Sequence, residues 1–277
     1  MTQLARDLKA EGKNIISMSA GEPDFDTPKT IKEAAIDAIN RGETKYTAVD
    51  GIDDLKQAVI DKFKNDNNLD YEKGNISIAP GGKSIIFNAI LSTINPGDEV
   101  IIPAPYWVSY PDIVKLAGGN PVVIETSPDN NFKISPDDLE KNITEKTKWL
   151  FINSPSNPTG QVYSKAELIN LAEIIKKHKN LYILSDDIYE YIRYQNNERF
   201  YTIAELDEEI FSRTLTMNGV SKAYSMTGWR IGYCGGPIEI INAMRKLMGQ
   251  STSNPSSISQ WTTVEALNGS KDFLNLW

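Results

Sequence analysis

The sequence predicts an α/β fold: a mostly parallel sheet flanked by helices in an α/β/α sandwich. Short apolar runs at residues 75–79, 99–102, 121–124, 149–152 and 181–184 are separated by polar loops and segments whose apolar residues recur at helical spacing. The runs are near-continuous rather than alternating, the mark of strands covered on both faces. The unusual loops follow the strands, after residues 79, 102, 152 and 184, so they converge on the rim where such sheets bind ligands.

Taken in order, residues 2–10 can form a short amphipathic helix ended by Gly12, and residues 14–19 run extended into a loop, Ala20-Gly21-Glu22-Pro23-Asp24-Phe25. Thr27 is placed to cap a helix with Pro28 at its first position. Ile31, Ala34, Ala35, Ala38 and Ile39 form its apolar face, and Gly42 stops it. Lys45-Tyr46-Thr47 is a polar loop, and Ile52, Leu55, Val59 and Phe63 mark the next helix. Pro80-Gly81-Gly82-Lys83 turns the first strand into a helix carrying Ile86, Ala89 and Ile90. Such a turn aims free N–H groups and the positive dipole end at one spot, which suits an anion, although a plain strand-to-helix turn reads alike.

The second strand ends in the proline-stiffened Pro103-Ala104-Pro105-Tyr106-Trp107. A helix leads from there to Gly118-Gly119 and the third strand. Ser135 with Asp138, and Ser164 with Glu167, have capping-box spacing at two further helices. The fourth strand runs into Asn153-Ser154-Pro155-Ser156-Asn157-Pro158-Thr159-Gly160, and the fifth into Ser185-Asp186-Asp187-Ile188-Tyr189-Glu190. Adjacent residues at a strand end point to opposite faces, so Asp186 and Asp187 have different surroundings.

Composition narrows the function. The 277 residues carry a net charge of −8, which argues against nucleic acid and anionic membranes as partners while leaving room for a local basic pocket. A single cysteine, Cys234, points to a reducing, cytoplasmic setting, and a single histidine, His178, argues against a histidine metal site or a Ser-His-Asp triad. No apolar run approaches membrane-spanning length, and the start does not read as a signal peptide.

The chemistry centres on Val220-Ser221-Lys222-Ala223-Tyr224-Ser225-Met226-Thr227-Gly228-Trp229-Arg230, between two apolar runs that read as short buried strands, 214–219 and 231–236. A lysine on a tight loop there is partly desolvated, which lowers its pKa and makes it nucleophilic toward a carbonyl. Arg230 offers a rigid fork of donors for a phosphate. That pair is what pyridoxal phosphate needs: a trap for its aldehyde and a grip on its anion. The plainer alternative is a solvated lysine and a surface ion pair.

The motifs Gly21-Glu22-Pro23-Asp24-Phe25, Lys45-Tyr46-Thr47 with Gly51, Gly81-Gly82-Lys83, Pro105-Tyr106-Trp107-Val108-Ser109-Tyr110, Asn157-Pro158-Thr159-Gly160, Asp186-Asp187-Ile188-Tyr189-Glu190 and Ser221-Lys222 through Arg230 occur together and in order. Jointly they resemble the class I aspartate aminotransferase family of fold type I, in particular its bacterial aspartate and aspartate/prephenate branch.

The resemblance implies the large domain of the fold type I pyridoxal 5'-phosphate transferases and transamination between L-aspartate and a 2-oxo acid, 2-oxoglutarate or prephenate, by a ping-pong cycle. It casts Lys222 as the Schiff-base lysine and proton shuttle, Asp186 as partner of the pyridine nitrogen, and Tyr189 and Asn157 as donors to the ring's phenolic oxygen. Trp107 is the stacking aromatic, with core packing as its alternative. Gly82, Lys83, Ser221 and Arg230 hold the phosphate, joined by Tyr46 from the other subunit of a homodimer. Gly21, Trp107, Asn157 and Lys83 contact substrate. Lys83, otherwise a solvated residue of a first helical turn, would take a distal carboxylate. The resemblance also implies that residues 1–28 belong with a small domain, that 29–277 form the large one, and that a C-terminal small domain is absent. Other pyridoxal-phosphate chemistry, elimination or synthase, and a non-catalytic binding fragment stand as alternatives.

Overall fold

The computed structural model describes residues 2–16, 21–194 and 199–275. Residues 17–19 of the expected extended run and Ala20, the first residue of the loop after it, lie outside them. Seven strands form one sheet: β1 (Ile76–Ala79), β2 (Glu99–Pro103), β3 (Asn120–Ile124), β4 (Thr147–Asn153), β5 (Tyr182–Asp186), β6 (Thr214–Gly219) and β7 (Gly232–Gly235). Their order is β1-β7-β6-β5-β4-β2-β3. β7 pairs antiparallel with both β1 and β6, whereas the β6-β5-β4-β2-β3 pairings are all parallel. β1 therefore runs with the majority, and six strands deliver their carboxyl ends to one rim. β7 starts at that rim, so the β6–β7 connection lies on it too.

The helices are α1 (Thr2–Ala10), α2 (Lys29–Asn40), α3 (Asp53–Asn67), α4 (Gly82–Thr93), α5 (Ser109–Leu116), α6 (Pro136–Asn142), α7 (Lys165–Lys176), α8 (Glu208–Phe211), α9 (Ile238–Gly249) and α10 (Ser257–Asn268). Strand side chains alternate between two cores. Val100, Ile102, Trp149, Phe151 and Leu184 pack with α4, α5 and α9. Ile101, Leu150, Ile152 and Ile183 pack on the opposite face with α6 and α7. A third cluster joins α3 and α10 to Ile76, Ile78 and Tyr233. This is the expected α/β/α sandwich. Among the described residues no helix is long and apolar enough to cross a membrane.

Both capping boxes form, Ser135 with Asp138 and Ser164 with Glu167. Thr27 behaves differently. Pro28 occupies the cap position of α2, with no side-chain cap. The Thr27 hydroxyl instead donates to the Ser225 carbonyl at 2.7 Å and accepts from Trp229 Nε1 at 3.0 Å. A tertiary acceptor outcompetes the local cap and pins the N-terminal segment to the β6–β7 connection. Ile39 also departs from expectation: it is 56% exposed, because Ile31, Ala35 and Ala38 already make the buried stripe of α2.

No element is predicted for residues 237–275, yet they hold α9 and α10. The latter gives little apolar signal because it buries Ser259, Gln260, Thr262 and Thr263. Thr262 and Thr263 satisfy their hydroxyls on carbonyls one turn back, at 2.7 and 2.8 Å. Gln260 accepts from the Ile52 amide at 2.8 Å and donates to Thr47 at 3.0 Å, fixing the loop that carries Tyr46.

Candidate active site

At the carboxyl rim lies a cleft of about 520 Å³. Ten of the eleven residues singled out above line it: Gly21, Gly82, Lys83, Trp107, Asn157, Asp186, Tyr189, Ser221, Lys222 and Arg230. Tyr46 does not; it is 92% exposed, on the loop between α2 and α3.

One end of the cleft has groups that could hold an anion. Gly81 precedes α4 at φ +90°, a conformation that favours glycine, and no side chain caps the helix. A Cβ on Gly81 would lie 2.2 Å from Arg230 Nη2, so the bare backbone leaves the guanidinium its place. Arg230 Nη1 donates to the Thr227 carbonyl at 2.8 Å. Arg230 and Ser225 hold left-handed backbones, φ +57° and +49°. For non-glycine residues this costs about 1–3 kcal/mol each, strain of a kind that gathers at functional loops.

The other end is a buried acid. Asp186 closes β5 with its carboxyl in the cleft. Burial pushes its pKa up to about 6, against the opposing pull of a Tyr110 hydrogen bond, the Ile188 amide and the Lys222 charge. Tyr110 Oη donates to Asp186 Oδ2 at 2.6 Å. Asn153, at the end of β4, donates to the Asp186 carbonyl at 2.9 Å and accepts from the Asn157 amide at 2.7 Å, tying two loops together. Burial and the Asp186 charge also push the Tyr189 phenol up, with an Asn157 hydrogen bond pulling the other way.

Asp187 points away, as expected of its neighbour's alternate. Its Oδ1 accepts from Ser185 Oγ at 2.7 Å, and burial pushes its pKa up to about 8. Next in the chain, Glu190 turns inward to a buried cluster. It pairs with Lys62 and accepts from Asn67 and Asn218 at 2.7 and 2.8 Å. The segment thus presents Asp186 and Tyr189 to the cleft while its other side is anchored to α3 and β6.

Lys222 faces both ends. It is half-buried and donates to the Gly21 carbonyl; its Nζ lies 5.8 Å from the centre of the Tyr189 ring. Burial chiefly lowers its pKa and Arg230 adds to this, while Glu22 and Asp186 oppose. Lys83, exposed at the first turn of α4, holds its Nζ 4.8 Å from the centre of the Trp107 ring, a cation–π contact.

Tyr110, Asn153, Glu22 and Thr227 also line the cleft and are not among the residues singled out. Tyr110 falls at helical spacing with Ile113 and Val114, so it reads as core; its place three residues after Trp107 is the one available sign. Thr227 donates to Glu22 at 3.0 Å, closing the N-terminal segment over the β6–β7 connection.

An uncapped helix start with a guanidinium and a hydroxyl, a buried acid, and a lysine within electrostatic reach of both define a cofactor-dependent α/β enzyme. This donor set fits pyridoxal 5'-phosphate: a phosphate at one end, a ring nitrogen at the other and an aldehyde at the lysine. The sequence model of the family "Aminotransferase class I and II" matches residues 13–275. A probable aspartate/prephenate aminotransferase of Rhizobium leguminosarum bv. phaseoli is 55% identical over 274 residues, 99% of this chain and 68% of that protein. The aspartate aminotransferase of Rhizobium meliloti superposes with a TM-score of 0.96 at 52% identity, covering 99% of this chain and 68% of that one. That of Thermus thermophilus with maleate gives 0.95 at 42% identity, covering 99% and 71%. The chain belongs to the class I and II aminotransferases, enzymes that transfer amino groups with pyridoxal 5'-phosphate.

Proposed function

We propose that the cleft holds pyridoxal 5'-phosphate at Lys222 and moves the amino group of L-aspartate to a 2-oxo acid, 2-oxoglutarate or prephenate, in two half-reactions of a ping-pong cycle. The observation that carries this reading is a half-buried lysine of lowered pKa placed in one cleft with a buried acid and an anion site. When bound, the cofactor supplies an aldehyde that captures the amine and a ring that takes up the electrons released at the α-carbon.

Arg230, Ser221 and the amides of Gly82 and Lys83 grip the phosphate. Asp186, as a carboxylate, would pair with the ring nitrogen and favour its protonated form, and Tyr189 with Asn157 would donate to the ring oxygen. Trp107, which lines the cleft, would offer an aromatic face for the ring to stack on. Lys222 Nζ, its pKa lowered chiefly by burial, would carry the proton between the substrate α-carbon and the cofactor. Gly21 meets the substrate α-carboxylate through its backbone.

Lys83 is assigned to the distal carboxylate of aspartate. Its side chain reaches over Trp107 at the cleft, and the Thermus thermophilus relative was solved with the dicarboxylate maleate. Tyr46 is assigned to the phosphate of a second copy in a homodimer, supported by its exposure on a loop that Gln260 holds fixed. Residues 29–277 are read as the cofactor domain, residues 1–28 as part of a second one, and the setting as cytoplasmic.

The test is steady-state kinetics with L-aspartate and either acceptor. Parallel double-reciprocal lines are expected, and Lys83→Ala should raise KM for aspartate with a smaller effect on a monocarboxylic donor. Release of ammonia or pyruvate without an acceptor would replace this reading with elimination chemistry.

A further inference from the structure

We propose that Tyr110 is a positioning residue for the reaction, holding Asp186 charged and oriented toward the cofactor's ring nitrogen. The inference rests on the functional reading above. The Tyr110 hydroxyl lies 2.6 Å from Asp186 Oδ2, a short charge-assisted bond. Asp186 Oδ1 is left with a 3.4 Å contact from the Ile188 amide, and so is the oxygen free to meet a ring N–H.

Packing alone does not call for the hydroxyl. The Tyr110 ring sits edge-on to Trp107 and Phe151, with centres 5.5 and 5.2 Å away, and phenylalanine would make both contacts. The same side chain therefore abuts the aromatic assigned to ring stacking and binds the acid assigned to the ring nitrogen. The electrostatics agree. Burial raises the Asp186 pKa while the Tyr110 hydrogen bond opposes it, and burial beside Asp186 holds the Tyr110 phenol well above its ordinary value, so it stays a donor. The other titratable groups near Asp186 are Tyr189 and Asp187 on its own segment, Lys222 on the β6–β7 connection with Glu22 and Arg230 beside it, and Lys83 on α4. Its strand neighbours offer the neutral Asn153 and Met217.

The test measures the affinity of this chain for pyridoxal 5'-phosphate against pH, read by quenching of tryptophan fluorescence, in wild type, Tyr110→Phe, Asp186→Asn and the double variant. Wild-type affinity should weaken as pH falls and Asp186 protonates. In Tyr110→Phe the midpoint should move up by about one pH unit, the loss expected for one hydrogen bond to a charge. The cofactor phosphate's own second ionisation is common to every arm and cancels in the difference. In the Asp186→Asn background, Tyr110→Phe should produce no shift. A midpoint unchanged in Tyr110→Phe, or a shift that persists without Asp186, overturns the proposal. Failure of the wild type to bind the cofactor overturns the functional reading instead. Should Tyr110→Phe not fold, 3-fluorotyrosine substituted for Tyr110, a stronger donor of nearly the same shape, should move the midpoint down, and no movement would refute the role.

Discussion

At one end of the cleft the candidate binding groups are the backbone at Gly82 and Lys83 and the exposed guanidinium of Arg230. At the other they are the side chains of Asp186, Tyr110 and Tyr189, set into the core. The anion end combines the exposed Arg230 guanidinium with the start of α4, so the charge part of any anion affinity there should screen with salt. The acid end is desolvated, and burial works against ionisation of Asp186. It therefore needs bracing: Tyr110 in front, and behind it Glu190 anchored to Lys62, Asn67 and Asn218.

The largest effect is expected where the two ends meet. Lys222→Ala should cut transamination by about 10³-fold or more, measured as amino transfer from aspartate, because the proton carrier is lost. Next, Lys62→Met should cost about 3 kcal/mol or more in urea unfolding by leaving the Glu190 carboxylate buried without its cation. A double variant that also makes residue 190 apolar should recover much of that loss. A loss under 1 kcal/mol in the single variant would show that the acid end is not braced from behind. Arg230→Ala should weaken cofactor binding about ten- to hundredfold, with the pH midpoint of binding little changed, since it touches only the anion end. A moved midpoint would show that the two ends are not separable.

A separate, pH-dependent effect concerns Asp187. Its folded pKa, about 8, lies above the ordinary carboxylate value, so the folded state binds the extra proton. Stability should fall as pH rises from about 4 to about 8, by at most about 1.4 kcal/mol per pH unit. Asp187→Asn should flatten that slope, and thermal unfolding across this range would show it.

What the sequence reveals of this site follows the same division. The anion end is legible because its demands are on the backbone. A positive φ at Gly81, close approach at Gly82 and a loop lysine near an arginine leave marks in the residue types themselves. Asp186 is legible as a strand-end acid, but Tyr110 is not, because its helical spacing with Ile113 and Val114 is that of any core aromatic. The Lys62–Glu190 pair is also hidden, since the two residues come from distant segments and neither has a local pattern. The strand-and-helix rhythm carries the fold up to β7. It fails at α10, whose buried face is polar, and at Thr27, whose hydroxyl finds its partner near position 225 instead of in its own helix.

The most direct measurement of the central claim is a visible absorbance spectrum of this chain loaded with pyridoxal 5'-phosphate, before and after L-aspartate without any oxo acid. The account predicts a protein-bound visible band, absent in Lys222→Ala, that aspartate converts to that of the amine form of the cofactor. A band that forms equally well without Lys222, or free cofactor unchanged by the protein, would contradict it.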